Sequence, residues 1–248
     1  RRVLKLIRKW LKAGVLEDGV FRESLAGTPQ GGVLSPLLSN IYLNGFDDSW
    51  QKDNGTLGKL IRYCDDFVIL CRTPRALTEA QTKVENLLDD LGLKLHPVKT
   101  KKVELAWGKE GLNFLGWYVR KCPSVRFPGR YFLNRWPSSR SMKRLYSKIR
   151  GIIHQTAREK NVRDFIGSLN PVLRGWANYF RTGNSRRKFK QIDKYLWMRI
   201  VLFENKRRRH KAPYWKAGQF TYAWYKGLGF FDMIQQGLIR YPGRGYAN

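Results

Sequence analysis

Two adjacent carboxylates, Asp65 and Asp66, lie between short apolar runs and are well suited to hold a metal ion. Residues 60–72 read Leu-Ile-Arg-Tyr-Cys-Asp-Asp-Phe-Val-Ile-Leu-Cys-Arg. Ile, Val, Phe and Tyr favour buried strands, and Cys64 with Asp65 can form the tight turn of a hairpin. The pattern therefore predicts both acids at the tip of a stiff β-ribbon.

Phosphoryl transfer is the chemistry that such a pair could support. Two ionised acids side by side repel each other unless a divalent cation neutralises them, and hard oxygen ligands suit Mg²⁺. Metal ions held by carboxylates can clamp the attacking and leaving oxygens of a polymerase reaction. The alternative is an acidic surface turn, but such a turn does not need apolar strands on both sides.

Two loops could contact a nucleotide. Residues 27–32 read Gly-Thr-Pro-Gln-Gly-Gly, so their amides could approach a phosphate while Gln30 bonds a sugar or base edge. Lys99 could contact a phosphate or protonate a leaving pyrophosphate. The alternatives are an ordinary turn before a helix and a solvated lysine beside Lys101 and Lys102.

Two other segments could contact a nucleic-acid backbone. In Asn-Phe-Leu-Gly over residues 113–116, Gly116 would allow close approach of a backbone turn; the alternative is a core strand. The basic run over residues 206–211 could bind phosphates; the alternative is a favourable charge at the end of a helix.

Charge separates the chain into two parts. Lys and Arg number 48 against 19 acids, a net charge of +29. Residues 1–119 carry 18 basic and 14 acidic side chains, a net charge of +4, whereas residues 120–248 carry 30 and 5, a net charge of +25. A polyanionic partner is expected, nucleic acid before an acidic membrane surface.

Other features narrow the class of protein. No apolar run reaches the ~18 residues of a spanning helix, so no membrane is expected. Three cysteines without a CxxC pair indicate neither a disulfide framework nor a zinc site, and they fit a reducing cytoplasm. The first residues show no secretory signal and no starting Met, which predicts a piece of a longer chain. The sequence leaves the oligomeric state open, a homodimer included.

The elements that must position these residues follow from apolar periodicity and turn signals. Helices are expected over 1–13, 36–50 (with Ser35 as N-cap), 75–91, 138–158, 161–181 and 185–210. Strands are expected on both sides of the acids and around 93–95, 102–107 and 112–120, with a short connection or hairpin over 15–26. This order predicts an α+β fold with helices on one face of a sheet, followed by an all-α part.

The motifs in their order resemble a known family. Gly27-Thr-Pro-Gln-Gly-Gly-Val-Leu-Ser-Pro-Leu-Leu-Ser-Asn-Ile-Tyr-Leu, Tyr63-Cys-Asp-Asp-Phe, Gly92-Leu-Lys-Leu, Lys99-Thr and Phe114-Leu-Gly closely resemble the palm motifs of group II intron reverse transcriptases. Leu169-Asn-Pro-Val-Leu-Arg-Gly-Trp-Ala-Asn-Tyr-Phe looks like their maturase, or thumb, region. The resemblance covers about residues 1–210.

The resemblance implies RNA-directed DNA polymerase activity together with maturase activity, which helps intron RNA to splice and supports intron mobility. The implied partners are intron RNA, an RNA template, a DNA primer and deoxynucleoside triphosphates, with Mg²⁺ as cofactor. The implied domains are a partial palm over 1–122 and a helical thumb over 138–210. The Pro-, Gly- and Arg-rich composition of residues 123–137 predicts a linker between them, and an aromatic, basic tail follows over 211–248.

The resemblance also implies roles for single residues. Asp65 and Asp66 would be catalytic and hold the metal. Nucleotide binding is implied for Gln30, Gly31, Tyr63 and Lys99, and a primer grip for Phe114, Leu115 and Gly116. RNA binding is implied for Arg174, Arg181, Arg186, Arg187, Lys188, Arg207, Arg208 and Arg209.

Three departures from the family's pattern qualify these implications. Cys64 occupies the position of a small Ala, which we expect to be tolerated. The family's first catalytic Asp lies upstream of a segment like residues 1–13, and Glu17, Asp18, Asp47 and Asp48 are not in that context. This chain alone is therefore predicted to be a weak or inactive polymerase, and RNA binding without synthesis is the alternative function. No Cys-pair endonuclease module follows the thumb region, so DNA cleavage is not expected.

Overall fold

The structure is a computed structural model that describes residues 2–12, 15–17, 20–22, 34–105, 108, 110–156, 162–207 and 220–235. It combines helices with small antiparallel sheets, as the α+β prediction requires. The chain divides into two compact units, residues 1–101 and 102–248. The boundary predicted at residue 122 therefore falls inside the second unit.

The first unit contains four helices and two β-hairpins within the described residues. The elements are α1 (Arg2–Lys12), β1 (Val15–Glu17), β2 (Val20–Arg22), α2 (Ser35–Tyr42), α3 (Asn44–Ser49), a π-helical turn (Trp50–Asn54), β3 (Gly58–Tyr63), β4 (Asp66–Cys71) and α4 (Pro74–Asp90). These bounds confirm the first helix, the hairpin over 15–26 and the strands beside the acids. The glycine-rich loop over residues 27–32 lies outside the described residues.

The helix predicted over 36–50 is interrupted at Leu43, which separates α2 from α3. Ser35 is the first residue of α2 rather than its N-cap, which is Leu34. The apolar residues of the two helices differ in burial. Phe46 and Trp50 are each 1% exposed, whereas more than half of the side chain is exposed at Leu37, Ile41 and Tyr42.

One face of the β3–β4 ribbon packs on α3 and α4. Leu60, Phe67 and Ile69 contact a core formed by Leu43, Phe46, Trp50, Ala80, Val84 and Leu88. Trp50 Nε1 donates a hydrogen bond of 3.0 Å to the Gly58 carbonyl, which fixes the start of β3. The ribbon is thus anchored to helices along its length, and its tip projects from a packed base.

Helix α4 begins and ends where the sequence predicts. Thr73 is its N-cap, and the Thr73 hydroxyl oxygen accepts a 3.2 Å hydrogen bond from the Ala76 amide. Gly92 has φ +67°, and the Leu93 amide bonds the Leu88 carbonyl at 2.8 Å, which is the hydrogen bonding expected after a helix ends. The strand predicted at 93–95 is wrong, and so is the described part of the one predicted around 102–107, because residues 93–95 and 102–105 are irregular. Leucines 93 and 95 are packed against the core all the same.

The second unit joins a three-stranded sheet to a helical bundle. Its elements are β5 (Gly111–Phe114), β6 (Trp117–Pro123), β7 (Tyr131–Pro137), α5 (Ser139–Thr156), α6 (Val162–Phe180), α7 (Arg186–Arg207) and α8 (Tyr222–Gly227). The strands form one antiparallel sheet in the order β5-β6-β7. The three long helices confirm the predicted helices over 138–158, 161–181 and 185–210.

Two predictions in this unit are wrong. The strand predicted over 112–120 is a hairpin that turns at Leu115 and Gly116, whose φ angles are +48° and +79°. Positive φ at both turn residues is the conformation that tight hairpins favour. The predicted linker over 123–137 contains β7, which pairs with β6 from Trp117↔Pro137 to Pro123↔Tyr131. Its Pro and Gly residues mark strand ends and a turn, not an irregular connection.

The helical bundle encloses the larger core of the protein. Seven of its apolar residues are fully buried: Phe165, Leu169, Leu173, Phe189, Ile192, Leu196 and Ile200. Residues from the segment predicted as a tail complete this core, among them Tyr225, Phe230, Phe231 and Met233. Asn170 connects the segment to α6, because its amide nitrogen donates to the Gly229 carbonyl and its oxygen accepts from the Phe231 amide at 2.7 Å.

A buried carboxyl group lies beneath this segment. Asp193 on α7 is 2% exposed, and its Oδ2 has no hydrogen-bond partner. Burial raises the pKa of Asp193 to about 7, Asp232 adds to the increase, and Lys226 opposes it. Lys226 is itself paired with Asp232 at 2.5 Å. Asp193 is therefore protonated over a wider pH range in the folded chain than in the unfolded chain.

We predict that this carboxyl makes the bundle less stable as the pH rises from about 4 to about 7. The folded state retains a proton that the unfolded chain releases near its ordinary pKa of 3.8. The free energy of unfolding should fall by at most about 1.4 kcal/mol per pH unit in this window. Asp193→Asn should remove this dependence, as measured by urea unfolding at several pH values. The exposed control Asp53→Asn should retain it, and an unchanged profile in Asp193→Asn would contradict the prediction.

Candidate active site

The hairpin that carries the two acids has the geometry that the sequence predicts. Strands β3 and β4 pair antiparallel up to Tyr63↔Asp66, which leaves Cys64 and Asp65 as a two-residue turn. Cys64 has φ +53°, the left-handed conformation that such a turn requires at this position. Both carboxylates are exposed at the tip. They are thus held by a strand pair instead of a long loop.

The two faces of the ribbon differ. Tyr63 lies directly opposite Asp66, so these two side chains share the outer face, where Tyr63 is 63% exposed. Ile61 and Leu70 on the same face are 41% and 44% exposed. The predicted burial of these strands therefore applies to the inner face alone, which packs on helices. An apolar, exposed surface leads up to Asp66.

Arg62 on the inner face connects the turn to α2 and α3. Its Nη1 donates hydrogen bonds of 2.8 Å to the Cys64 carbonyl and to Asn40 Oδ1. Its Nε donates to Asp47 Oδ1 at 2.8 Å, and its Nη2 forms an ion pair with Asp47 Oδ2. The side chain of Arg62 is only 10% exposed. One planar guanidinium therefore holds the turn backbone and two helices together.

This group of contacts was not found from the sequence. The hydrogen bond with Asp47 is the largest cause that raises the pKa of Arg62, so the guanidinium stays ionised. A signal for it was present, because Arg62 occupies a core-facing position of an alternating strand, and a charge at such a position requires a partner. The sequence alone does not reveal that the partner is Asp47.

Asp65 and Asp66 fit part of a divalent-cation site. Mg²⁺ is commonly held by one or two carboxylates, with water and substrate phosphates as the other ligands. The described residues contain no cluster of three or more His, Cys, Asp or Glu side chains. Asp47 is engaged by Arg62, and Asp48 accepts a 3.0 Å hydrogen bond from Asn44. Neither adds a third carboxylate to the tip.

The other predicted nucleotide-binding residues are not assembled in the same way. Lys99 is exposed in a turn where the amides of Lys99 and Thr100 bond the His96 carbonyl at 3.1 and 2.9 Å. This turn belongs to the same unit as the acidic hairpin, but it is a separate feature of it. Gln30 and Gly31 lie outside the described residues. The structure therefore brings together only Tyr63 and the two acids of the predicted set.

The predicted primer-grip residues form a second turn, which is attached to the helical bundle. The Tyr179 hydroxyl donates a 2.8 Å hydrogen bond to the Leu115 carbonyl. The Gly116 carbonyl accepts from Ser141 Oγ at 2.8 Å and from the Ser138 amide at 2.9 Å. A Cβ atom at Gly116 would lie 2.9 Å from Ser141 Oγ. The turn is thus fixed by α5 and α6, and Phe114 precedes it at the end of β5.

Trp117, directly after this turn, strengthens the attachment. Its ring contacts Phe180 edge-on at a centroid distance of 4.7 Å, and the Arg135 guanidinium lies 5.1 Å from it. Gly183 approaches so closely that a Cβ there would lie 2.3 Å from the Trp117 ring. The sheet and the bundle therefore form one packed body, which explains why β5 and β6 belong to the second unit.

Some of the predicted RNA-binding residues lie exposed on the surface of the bundle. Arg181, Arg186 and Arg187 are exposed around the connection between α6 and α7, and Lys188 is half-buried. Arg174 is exposed too, with its guanidinium 5.7 Å from the Phe231 ring. Arg207 is the last residue of α7, and its side chain, like residues 208 and 209, lies outside the described part. The first three provide accessible cations for phosphates.

We predict that Arg62→Lys loosens the acidic turn. A lysine cannot reproduce the forked contacts, and loss of charge-assisted hydrogen bonds costs ~1.5–3 kcal/mol. Hydrogen exchange at the amides of Asp65 and Asp66 should therefore accelerate by an order of magnitude or more. Arg72→Lys, an exposed position at the far end of the ribbon, is the matched control. Protection of the turn at the parental level in Arg62→Lys would show that the clamp does not hold it.

Two family models match the chain. A model of reverse transcriptases (RNA-dependent DNA polymerases) matches residues 1–119, and a model of the group II intron maturase-specific domain matches residues 142–222. The described helices contain none with both the length and the apolar character that crossing a membrane requires.

Three relatives illustrate the similarity. An "Uncharacterized 91 kDa protein in cob intron" of Schizosaccharomyces pombe is 24% identical over 259 residues, covering 76% of this chain and 32% of that protein. Protein YkfC of Escherichia coli is 34% identical over 147 residues, 46% of this chain and 38% of YkfC. The group II intron-encoded protein LtrA of Lactococcus lactis is 58% identical over 43 residues, 17% of this chain and 7% of LtrA.

The matched regions thus span well under half of the length of each of these relatives. The reverse transcriptase model covers the acidic hairpin, and the maturase model covers most of the helical bundle. Both occur in the order that the sequence motifs predict. The chain thus contains a reverse transcriptase region followed by a group II intron maturase-specific region, and it is similar to the group II intron-encoded protein LtrA.

Proposed function

We propose that this chain acts in RNA-directed DNA synthesis and in the splicing and mobility of a group II intron. The single observation that carries the proposal is the acidic hairpin, whose two exposed carboxylates project from a turn held by Arg62. Intron RNA, an RNA template, a DNA primer and deoxynucleoside triphosphates are the proposed partners. The charge of the second half, net +25, supports a polyanionic partner.

The proposed polymerase site uses the outer face of the β3–β4 ribbon. Mg²⁺, when bound, would neutralise negative charge on the nucleotide phosphates and on the attacking and leaving oxygens. Asp65 and Asp66 would hold the ion, and the exposed ring of Tyr63 would support the nascent base pair beside them. Arg62 would keep the turn in place, because its contacts to the backbone do not depend on substrate.

In the second unit, the turn at Leu115 and Gly116 is proposed as the primer grip. Its carbonyls are already engaged by Tyr179, Ser141 and Ser138, so the backbone conformation is fixed before a strand binds. Such preorganisation lowers the entropic cost of positioning a primer. Lys99 is proposed to contact nucleotide phosphates, since its exposed ammonium is free to reach them.

A second candidate function is RNA binding without synthesis, of the kind a maturase uses to help its intron fold. The small number of acids favours it, because the described residues place two carboxylates at the hairpin tip and no third carboxylate beside them. A site with few carboxylates should bind Mg²⁺ weakly and stabilise developing charge poorly. The basic surface of the bundle would serve this function without the acids.

Primer extension on an RNA template separates the two functions. We expect the rate of nucleotide incorporation to be at least ~100-fold lower in Asp65→Ala and in Asp66→Ala than in the parent chain. Each substitution removes a carboxylate that would stabilise charge at the reacting phosphates through the metal ion. Asp89→Ala, an exposed acid on α4, should keep parental activity. Synthesis that survives in both hairpin variants would refute the polymerase assignment. RNA binding unaffected by either change, with no synthesis by the parent, would support the second function.

Salt dependence tests the electrostatic part of the RNA interface. We expect the slope of log affinity against log salt to become shallower by about 2 when Arg181, Arg186 and Arg187 are all changed to Gln, since each single-strand phosphate contact contributes about 0.7. The control changes Arg72, Arg75 and Lys83 to Gln and so removes three exposed charges from the near-neutral first unit. Equal changes in both proteins would mean that only the total charge matters.

A further inference from the structure

The sheet and first helix of the second unit form a stretch without acids. Residues 111–158 contain eleven Lys and Arg residues and neither Asp nor Glu. The stretch includes the whole β5-β6-β7 sheet and α5. Its positive potential is therefore not neutralised by neighbours in sequence, and it favours contact with a polyanion over contact with another protein surface.

The loop between β6 and β7, residues 124–130, has a fixed shape. The Ser124 amide bonds the Arg130 carbonyl at 2.8 Å, which closes the hairpin. Ser124 Oγ accepts a 3.0 Å hydrogen bond from the Phe127 amide, and the Arg130 amide bonds the Phe127 carbonyl at 3.2 Å. Gly129 supplies the positive φ, +78°, that the loop requires. The loop is thus preorganised by its own backbone.

Phe127 is displayed at the tip of this hairpin between two cations. Its ring is 45% exposed, and the guanidinium carbons of Arg126 and Arg130 each lie 5.5 Å from its centroid. Val125 beside it is fully exposed. The ring does not belong to either hydrophobic core of the described residues. The hairpin tip therefore leaves an aromatic ring, flanked by cations, accessible to a ligand.

This combination fits an unpaired nucleotide. A base has a π-face that stacks on an aromatic ring whatever its identity, and its flanking phosphates attract guanidinium groups. In a duplex the faces of the bases are covered by their neighbours, so a stacking ring selects a single strand. An exposed Arg can leave the ring for a phosphate while a base takes its place, because its side chain rotates freely in solvent.

We propose that the loop of residues 124–130 binds single-stranded RNA, with one base stacked on Phe127 and adjacent phosphates held by Arg126 and Arg130. This site goes beyond the polymerase and maturase functions proposed above and requires neither Asp65 nor Asp66. It would hold an unpaired segment of RNA against the second unit.

The test uses fluorescence anisotropy with a labelled ten-nucleotide oligouridylate, which has little structure of its own. Phe127→Leu keeps an apolar side chain but removes the π-face, and we expect it to lower affinity ~10-fold with an unchanged salt slope. Phe127→Trp should bind at least as tightly as the parent. An oligomer of the same length with abasic nucleotides should bind the parent and Phe127→Leu equally, because it has no base to stack. A ten-base-pair RNA duplex should also show no difference.

Phe132→Leu is the matched control, since this β7 ring is 49% exposed on the same hairpin. It should bind oligouridylate like the parent, and thermal unfolding should confirm that both Leu variants remain folded. The proposal is overturned if the parent does not bind oligouridylate, or if Phe127→Leu binds it with the affinity of the parent. It is also overturned if the parent binds the abasic oligomer as tightly as it binds oligouridylate. Primer extension by the parent and Phe127→Leu on a long primed template is scored separately, so failure of this site is distinguishable from failure of the polymerase assignment.

Discussion

The acidic hairpin depends on one charged group, the guanidinium of Arg62. A two-residue turn with a positive φ at Cys64 is strained for a residue with a side chain, and its carbonyl needs a donor. Arg62 supplies that donor while Asp47 and Asn40 hold the other nitrogens. Because the guanidinium is nearly buried, loss of the Asp47 carboxylate would leave its charge uncompensated. The exposed acids can therefore be mobile in their side chains while their backbone stays in place.

The second unit uses the same principle with different groups. Its tight turn at Leu115 and Gly116 is also left-handed, and the donors come from Tyr179 and Ser141 of the helical bundle. In both units a tight hairpin carrying predicted functional residues is held through a backbone carbonyl, by Arg62 of the hairpin itself in the first unit and by side chains of the bundle in the second. Backbone oxygens are suitable for this purpose, because using them leaves the functional side chains and the exposed face available to ligands.

Charge is distributed according to these tasks. Acids balance most of the cations over residues 1–119, whereas cations exceed acids by 25 over residues 120–248. Like charges that are not neutralised destabilise a compact state. The large buried core of the bundle, completed by residues 220–235, offsets this repulsion. Asp193 lies within that core, and Lys226 and Asp232 form an ion pair near it.

Local chemistry predicted much of the fold and part of the site. The β3–β4 hairpin, the capped helix α4 and the three long helices each follow from periodicity, turn residues or caps that act over a few positions. Strand β7 was missed because its Pro and Arg resemble a linker, and only pairing with β6 shows its strand character. The break at Leu43 between α2 and α3 was also missed.

What the sequence by itself determined, then, is the identity of the acids, the turn that displays them and the order of the family's motifs. Only the tertiary structure decided that Arg62 pairs with Asp47, that Tyr179 holds the second turn and that Phe127 stands between two guanidinium groups. The reason is physical: turns and caps are fixed by neighbours in the chain, whereas these contacts join residues from separate elements or depend on which surface stays uncovered after packing.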